Sequence, residues 1–317
     1  DLSYPKHYRI RVDNATSVNG DSVYYTSPEP GFEVSGGSSS SAPWIGTQQL
    51  GTSFKDYAYG VATDSSGNVF VAGFTEGGLD GNSNSGNSDL IVVKYDSSGM
   101  KQWTQQLGTS FKDYAYGVAT DSSGNVFVAG FTEGGLDGNS NSGNTDLFVV
   151  KYDSSGTKLW TQQLGTSSKD YGYGVTTDSS GNVYVAGHTE GGLAGNSSAG
   201  QKDLFVVKYD PSGTKQWTRQ LGTSSQDNAY GVATDSSGNV YVAGETPGGL
   251  DGNSSAGNKD LFVVKYNSSG TKQWTQQLGT STQDIAFGVA TDSSGNVYVA
   301  GRTRGGLDGN SSAGDDD

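Results

Sequence analysis

The chain repeats itself at a fixed interval. Leu50, Leu107, Leu164, Leu221 and Leu278 each lie in a Gln-Leu-Gly-Thr-Ser phrase, and successive copies stand 57 residues apart. A period of this size means that one supersecondary unit is stacked on its own copies, each burying a face that it cannot bury alone. Within one copy, apolar runs occupy residues 113 to 121, 125 to 130, 146 to 152 and 158 to 160, and each reads as a strand.

Composition narrows the choice to an all-β fold. Only 32% of residues are hydrophobic and 50 are Gly, which argues against a helical core, whereas the short Val, Tyr, Phe and Ile runs suit half-buried strands. The net charge of −14 opposes binding to nucleic acid or to an anionic membrane through a basic field, and it favours attraction of cations. There is no Cys, so disulfides, thiolate metal sites and cysteine nucleophiles drop out. No apolar run reaches the roughly 18 residues of a membrane span and no signal-peptide pattern is present, so a soluble chain without membrane insertion is expected.

Turn chemistry orders the strands. Asp64-Ser65-Ser66-Gly67-Asn68 and Asp96-Ser97-Ser98-Gly99 suit tight hairpins with Gly at positive φ. The stretch between them, from Thr75 to Asn87, is too Gly-rich for a helix. The unit is therefore strand, strand, long loop, strand, strand, the pattern of a propeller blade. First strands begin near Tyr57, Tyr114, Tyr171, Asn228 and Ile285, but the third strand occurs only four times, before Tyr95, Tyr152, Tyr209 and Tyr266. Residues 31 to 36 and 44 to 50 resemble a degenerate third and fourth strand. The expectation is a five-bladed β-propeller over residues 31 to 317, its last blade completed by these N-terminal strands, which removes two open sheet edges. Residues 1 to 30 do not match the repeat and read as a β-hairpin or attachment arm.

The phrase from Ala233 to Gly244, with Asp260 to Tyr266 and Gly270 to Thr275 after it, resembles the SBBP beta-propeller repeat, and its Asp-Ser-Ser-Gly-Asn-Val-Tyr-Val-Ala core is more weakly similar to the NHL repeat. The resemblance covers residues 44 to 317. It implies a propeller of bacterial surface, secreted and occasionally viral proteins, without a shared catalytic chemistry. The family's name presumes seven blades, and this chain supplies repeats for five.

Several constellations invite a functional reading. Asp56, Asp113, Asp170, Asp227 and Asp284 stand just before the first strand of each repeat; in a closed ring they would encircle one mouth and hold a cation or water, or else each fixes its own loop. The loop Asp80 to Asp89 spaces oxygen ligands as a calcium loop does, so Ca2+ is a candidate ligand, although Ala194 replaces the first Asp in the third repeat. Trp103, Trp160, Trp217 and Trp274 read as packing between blades rather than stacking on a ligand. The repeats diverge at Phe74, Phe131, His188, Glu245 and Arg302, which end the second strand and could form an asymmetric ligand-binding face or be exposed positions that have drifted.

Catalysis has little support, because His7 and His188 are the only histidines and the arginines are unclustered. The expected function is non-enzymatic: an extracellular or surface-displayed module for recognition or adhesion, binding a glycan or a protein surface. The alternative is a structural subunit of a virion appendage or extracellular filament, self-assembling through the N-terminal arm.

Overall fold

In the computed structural model, residues 47–314 and 317 are described. Strands β1 (Asp56–Thr63), β2 (Val69–Thr75), β3 (Asp89–Tyr95) and β4 (Lys101–Leu107) form an antiparallel sheet in sequence order. The next repeat gives β5 (Asp113–Thr120), β6 (Val126–Thr132), β7 (Asp146–Tyr152) and β8 (Lys158–Leu164). The third gives β9 (Asp170–Thr177), β10 (Val183–Thr189), β11 (Asp203–Tyr209) and β12 (Lys215–Leu221), and the fourth β13 (Asn228–Thr234), β14 (Val240–Thr246), β15 (Asp260–Tyr266) and β16 (Lys272–Leu278). A fifth sheet holds β17 (Asp284–Thr291) and β18 (Val297–Thr303). The all-β expectation and the four-stranded unit are thus met.

The outer strands expected for the last blade fall mostly outside the described residues, as does the arm at residues 1 to 30. Thr47 to Leu50, which are described, form no strand. Leu50 nonetheless packs beside Leu79, Ile91, Val93 and Tyr95, much as Leu107 packs into the following junction. Asp317 exchanges both backbone hydrogen bonds with Thr303 at 2.8 Å, the place that Asp260 takes opposite Thr246 in the fourth sheet.

The hairpins follow from the Asp and Gly of each turn. Asp64 Oδ1 accepts the Ser66 and Asn68 amides at 2.9 Å, and Gly67 takes φ 77°, which a side chain would resist. The long loop is not wholly irregular. Leu79–Gly81 makes one 3-10 turn, because the buried Leu79 side chain anchors it and the Leu79 amide donates to Gln106 Oε1 at 2.9 Å.

The core lies between sheets. Phe70, Ala72, Leu90 and Val92 of the first sheet meet Ala115, Val118, Val126, Val128, Phe148 and Val150 of the second, and the later junctions repeat the arrangement. Each fully buried Phe or Val contributes on the order of 1.5–3 kcal/mol. At the outer end, Trp103 lies against Gly156 of the next sheet's turn and donates its Nε1–H to the Ser154 carbonyl at 3.3 Å, beside Lys94 Nζ at 2.8 Å. The tryptophans therefore pack between blades, as expected. At the far end of the first strands, the Thr120, Thr177, Thr234 and Thr291 hydroxyls donate to the carbonyls of Thr63, Thr120, Thr177 and Thr234 at 2.8–2.9 Å.

A β-bulge interrupts every first strand. Ala58 pairs with Gly73 and Gly60 with Ala72, so Tyr59 is left without a partner, and the same two-against-one register recurs at Tyr116, Tyr173, Tyr230 and Phe287. The glycine opposite the bulge is required by closeness: a Cβ on Gly187 would stand 1.7 Å from the Tyr171 carbonyl oxygen. We expect Gly187→Ala to destabilise the chain by at least about 2 kcal/mol, by forcing the two strands apart. Gly288→Ala, where a Cβ would meet nothing within 4 Å, should shift stability by under about 0.5 kcal/mol. Urea unfolding of the two variants checks the contrast.

Candidate recognition surface on the inner strands

The bulge decides where one aromatic side chain per repeat points. By taking up an extra residue it lets Ala115 and Val118, three positions apart, share the face buried against the preceding sheet. The bulged side chain is re-aimed along the inner edge of the stack, where the first strands meet. Tyr59, Tyr116, Tyr173, Tyr230 and Phe287 follow one another there, with successive ring centroids 5.0, 5.1, 5.6 and 5.7 Å apart and planes tilted by 44–53°. Tyr59 and Phe287 are about half exposed at 50% and 51%, and the three rings between them are partly buried. Burial pushes the Tyr116 phenol up to about 12 and raises Tyr173 and Tyr230 as well, so the row presents neutral hydroxyls at physiological pH. Sequence reasoning passed over this row, although its signal was an aromatic residue recurring at the repeat interval.

The divergent residues Phe74, Phe131, His188, Glu245 and Arg302 stand behind the row, not on an exposed face. Phe74, Phe131, His188 and Glu245 are buried, and Arg302 is partly buried opposite Ile285. The expected exposed face is not formed by these side chains, because in the first four sheets they are enclosed by the first-strand rings and by the neighbouring sheet. Their variation is instead a change of core type. Phe74 stacks on Tyr114 at 3.8 Å, and Phe131 meets Tyr171 edge-on at 4.8 Å. In the fourth sheet Glu245 Oε1 accepts Asn228 Nδ2 at 3.0 Å, the Tyr230 hydroxyl at 3.0 Å and Lys259 Nζ at 2.8 Å. One bulged ring is thereby hydrogen-bonded to a buried carboxylate.

His188 lies between these two types of core. Tyr171 and Tyr173 pack on its ring at 5.1 and 5.6 Å, and neither ring nitrogen has a hydrogen-bond partner. Burial, aided by the charge of Lys202, holds its pKa down at about 3.

The five aspartates do not converge. Asp56, Asp113, Asp170, Asp227 and Asp284 each accept the amide of the Thr four residues earlier at 2.6 Å. In four sheets a second-strand hydroxyl completes the link: Thr75 to Asp56 at 2.6 Å, Thr132 to Asp113, Thr246 to Asp227 at 2.5 Å and Thr303 to Asp284 at 2.5 Å. These carboxylates fix the loop that enters each first strand. Burial raises Asp113, Asp170 and Asp227 in spite of those hydrogen bonds. The calcium-like loop is dispersed too: Asp80 pairs with Lys101 and Thr104, while Asp89 accepts the Ser85 amide and Gln106 Nε2. Among the described residues no three His, Asp or Glu side chains gather as a metal site.

His188 gives a pH dependence whose sign is fixed. Its folded pKa lies below the unfolded value of 6.5, so the unfolded chain takes up a proton that the folded chain refuses. The stability is intact above pH 6.5 and is lost towards pH 3 at roughly 1.4 kcal/mol per pH unit. His188→Phe, which restores the residue type of Phe74 and Phe131, should remove that component. The difference between variant and parent unfolding free energies at pH 7.5 and about pH 5 measures it.

The beta-propeller repeat model SBBP matches residues 45–80, 102–137, 159–194, 216–251 and 273–308. The chain is 28% identical to "Regulatory protein FlaEY" of Caulobacter vibrioides over 59% of this chain and 22% of that protein. It is 27% identical to an uncharacterized WD repeat-containing protein of Acanthamoeba polyphaga mimivirus over 56% of this chain and 16% of that one. The matched region thus spans less than a quarter of either relative. Among solved structures, the Pan2 WD40 domain of Neurospora crassa aligns with a TM-score of 0.41 at 12% identity, over 74% of this chain and 68% of that one. With the five repeat matches covering more than half of its residues, the chain belongs to the SBBP beta-propeller repeat family.

Proposed function

We propose that this chain is a non-enzymatic recognition module, secreted or displayed on a surface, and that the bulged aromatic row binds a neutral glycan. The observation that carries this reading is the row itself: five rings, one per repeat, at a near-constant spacing of 5.0–5.7 Å. Aromatic faces offer large apolar area at low entropic cost, and the C–H faces of a sugar stack on them while its hydroxyls find the tyrosine OH groups. The charge of −14 disfavours a polyanionic ligand. A repeated, shallow row fits a repeating chain better than a single compact metabolite, since each sugar unit meets an equivalent ring. The Caulobacter relative is named a regulatory protein, a role that binding serves without catalysis.

Calorimetric titration with a panel of neutral linear oligosaccharides tests the proposal. Binding should strengthen with oligosaccharide length, and Tyr59→Ala should weaken it about tenfold, as loss of one aromatic anchor does. Tyr59 is half exposed, so its removal leaves the fold intact. The reading fails if no neutral oligosaccharide binds, or if binding is indifferent to Tyr59.

A further inference from the structure

At the outer end of the junction between the third and fourth sheets, one residue departs from the repeat. Strand β12 carries Arg219 where Gln105, Gln162 and Gln276 stand in the other sheets. The Gln105 and Gln162 side-chain amides lie against Gly156 and Gly213 of the next sheet's turn, and Arg219 lies against Gly270 in the same way. Its guanidinium stands 5.4 Å from the Trp217 ring, which helps to hold its plane.

The guanidinium is anchored without being neutralised. Nε donates to the Gly270 carbonyl at 2.6 Å, Nη1 to the Thr218 carbonyl at 3.0 Å and Nη2 to the Ser269 carbonyl at 3.5 Å. Each Nη therefore keeps a second N–H for another partner. Among the described residues Arg219 forms no ion pair, whereas the neighbouring Lys272 is paired with Asp251. Arg219, Lys272, Thr271, Leu221 and Tyr266 line an open cavity of about 390 Å³. Tyr266 is 2% exposed, yet its hydroxyl has no hydrogen-bond partner among the described residues. Burial raises its pKa, so the group is a neutral donor. The cavity thus offers a fork of N–H donors, a phenol O–H and one uncompensated positive charge.

We propose that this cavity binds a single uronic acid residue, its carboxylate held by Arg219 Nη1 and Nη2 with the Tyr266 hydroxyl as a further donor. A planar carboxylate matches the guanidinium fork, which an ammonium group does not offer. The volume lies in the range of small-ligand sites. Leu221 supplies apolar surface for the C–H side of a sugar ring, and Thr271 and Lys272 supply polar groups for its hydroxyls. A lone unpaired cation in a chain of net charge −14 suits one acid group and turns away a polyanion. Every lining residue belongs to the third or fourth sheet, both fully described, and none belongs to the inner aromatic row. The inference therefore stands independently of the row's own ligand.

NMR and calorimetric titration of the full chain with methyl β-glucuronide test this. The Arg219 Nε–H signal, assigned by its loss in Arg219→Gln, should shift along a saturable curve. Arg219→Gln installs the residue of the other sheets and so keeps the fold. It should bind at least about tenfold more weakly, as loss of a charged hydrogen-bond pair does. Tyr266→Phe removes only the hydroxyl and should also weaken binding, while methyl β-glucoside, which lacks the acid, should leave the Nε–H signal in place. The proposal is overturned if the glucuronide gives no saturable shift, if the glucoside shifts the signal equally, or if Arg219→Gln binds as the parent does. Loss of glucuronide binding in Tyr59→Ala would move the sugar to the inner row and also overturn it. Binding of N-acetylglutamate in place of the glucuronide would assign the cavity to an acidic peptide side chain and sink the sugar assignment.

Discussion

At the inner end of every sheet, a glycine on the second strand approaches the first strand so closely that no other residue fits. The would-be Cβ of Gly73, Gly130, Gly187, Gly244 and Gly301 stands 1.7–1.9 Å from the carbonyl oxygen of Tyr57, Tyr114, Tyr171, Asn228 and Ile285. That approach accommodates the bulge, and the bulge sets the spacing of everything after it. Without the extra residue, Ala115 and Val118 would face opposite ways and only one of them could pack into the junction with the preceding sheet. The same residue turns Tyr116 out of the pairing pattern and into a row with its equivalents. One steric constraint therefore supports both the packing of the sheets and the surface assigned to recognition.

Around this constraint the repeats divide into positions that are held and positions that are exchanged as sets. Loop-fixing aspartates are held because they accept backbone amides, turn glycines because they take positive φ, and docking tryptophans because each caps a carbonyl of the next sheet's turn. Behind the aromatic row, by contrast, the core changes from Tyr–Phe pairs in the first two sheets to the Asn228, Tyr230, Glu245 and Lys259 cluster in the fourth. Such an exchange is tolerated only when the buried carboxylate gains its partners together, since an unpaired charge at that depth costs several kcal/mol. His188 is the intermediate case, a buried ring with polar atoms left unpartnered.

What the sequence revealed and what it hid follow from the same physics. The hairpins at Asp64 and Asp96, the strand order and the packing role of Trp103 are local in origin: Asx chemistry, alternation and a fixed interval carry them. The bulge is a property of pairing, and nothing in Asp113 to Thr120 alone says which residue is skipped. The divergence at Phe74, Phe131, His188, Glu245 and Arg302 looked like surface drift because the coupled changes at Asn228, on β13, and Lys259, just before β15, lie 17 and 14 residues from Glu245. The five aspartates looked like a ring because their equivalence around the repeat is visible in sequence, while their partners, Thr75 and its counterparts, sit 19 residues away.

The most direct test of the central claim is a tyrosine ring NMR spectrum of the chain, recorded during titration with the tightest-binding neutral oligosaccharide. If the bulged row is the recognition surface, the Tyr59, Tyr116, Tyr173 and Tyr230 ring signals shift together along a single binding curve, while buried Tyr209 and Tyr266 stay in place. Shifts confined to the outer tyrosines or to the glycine-rich loops, with the inner row unmoved, would contradict the account.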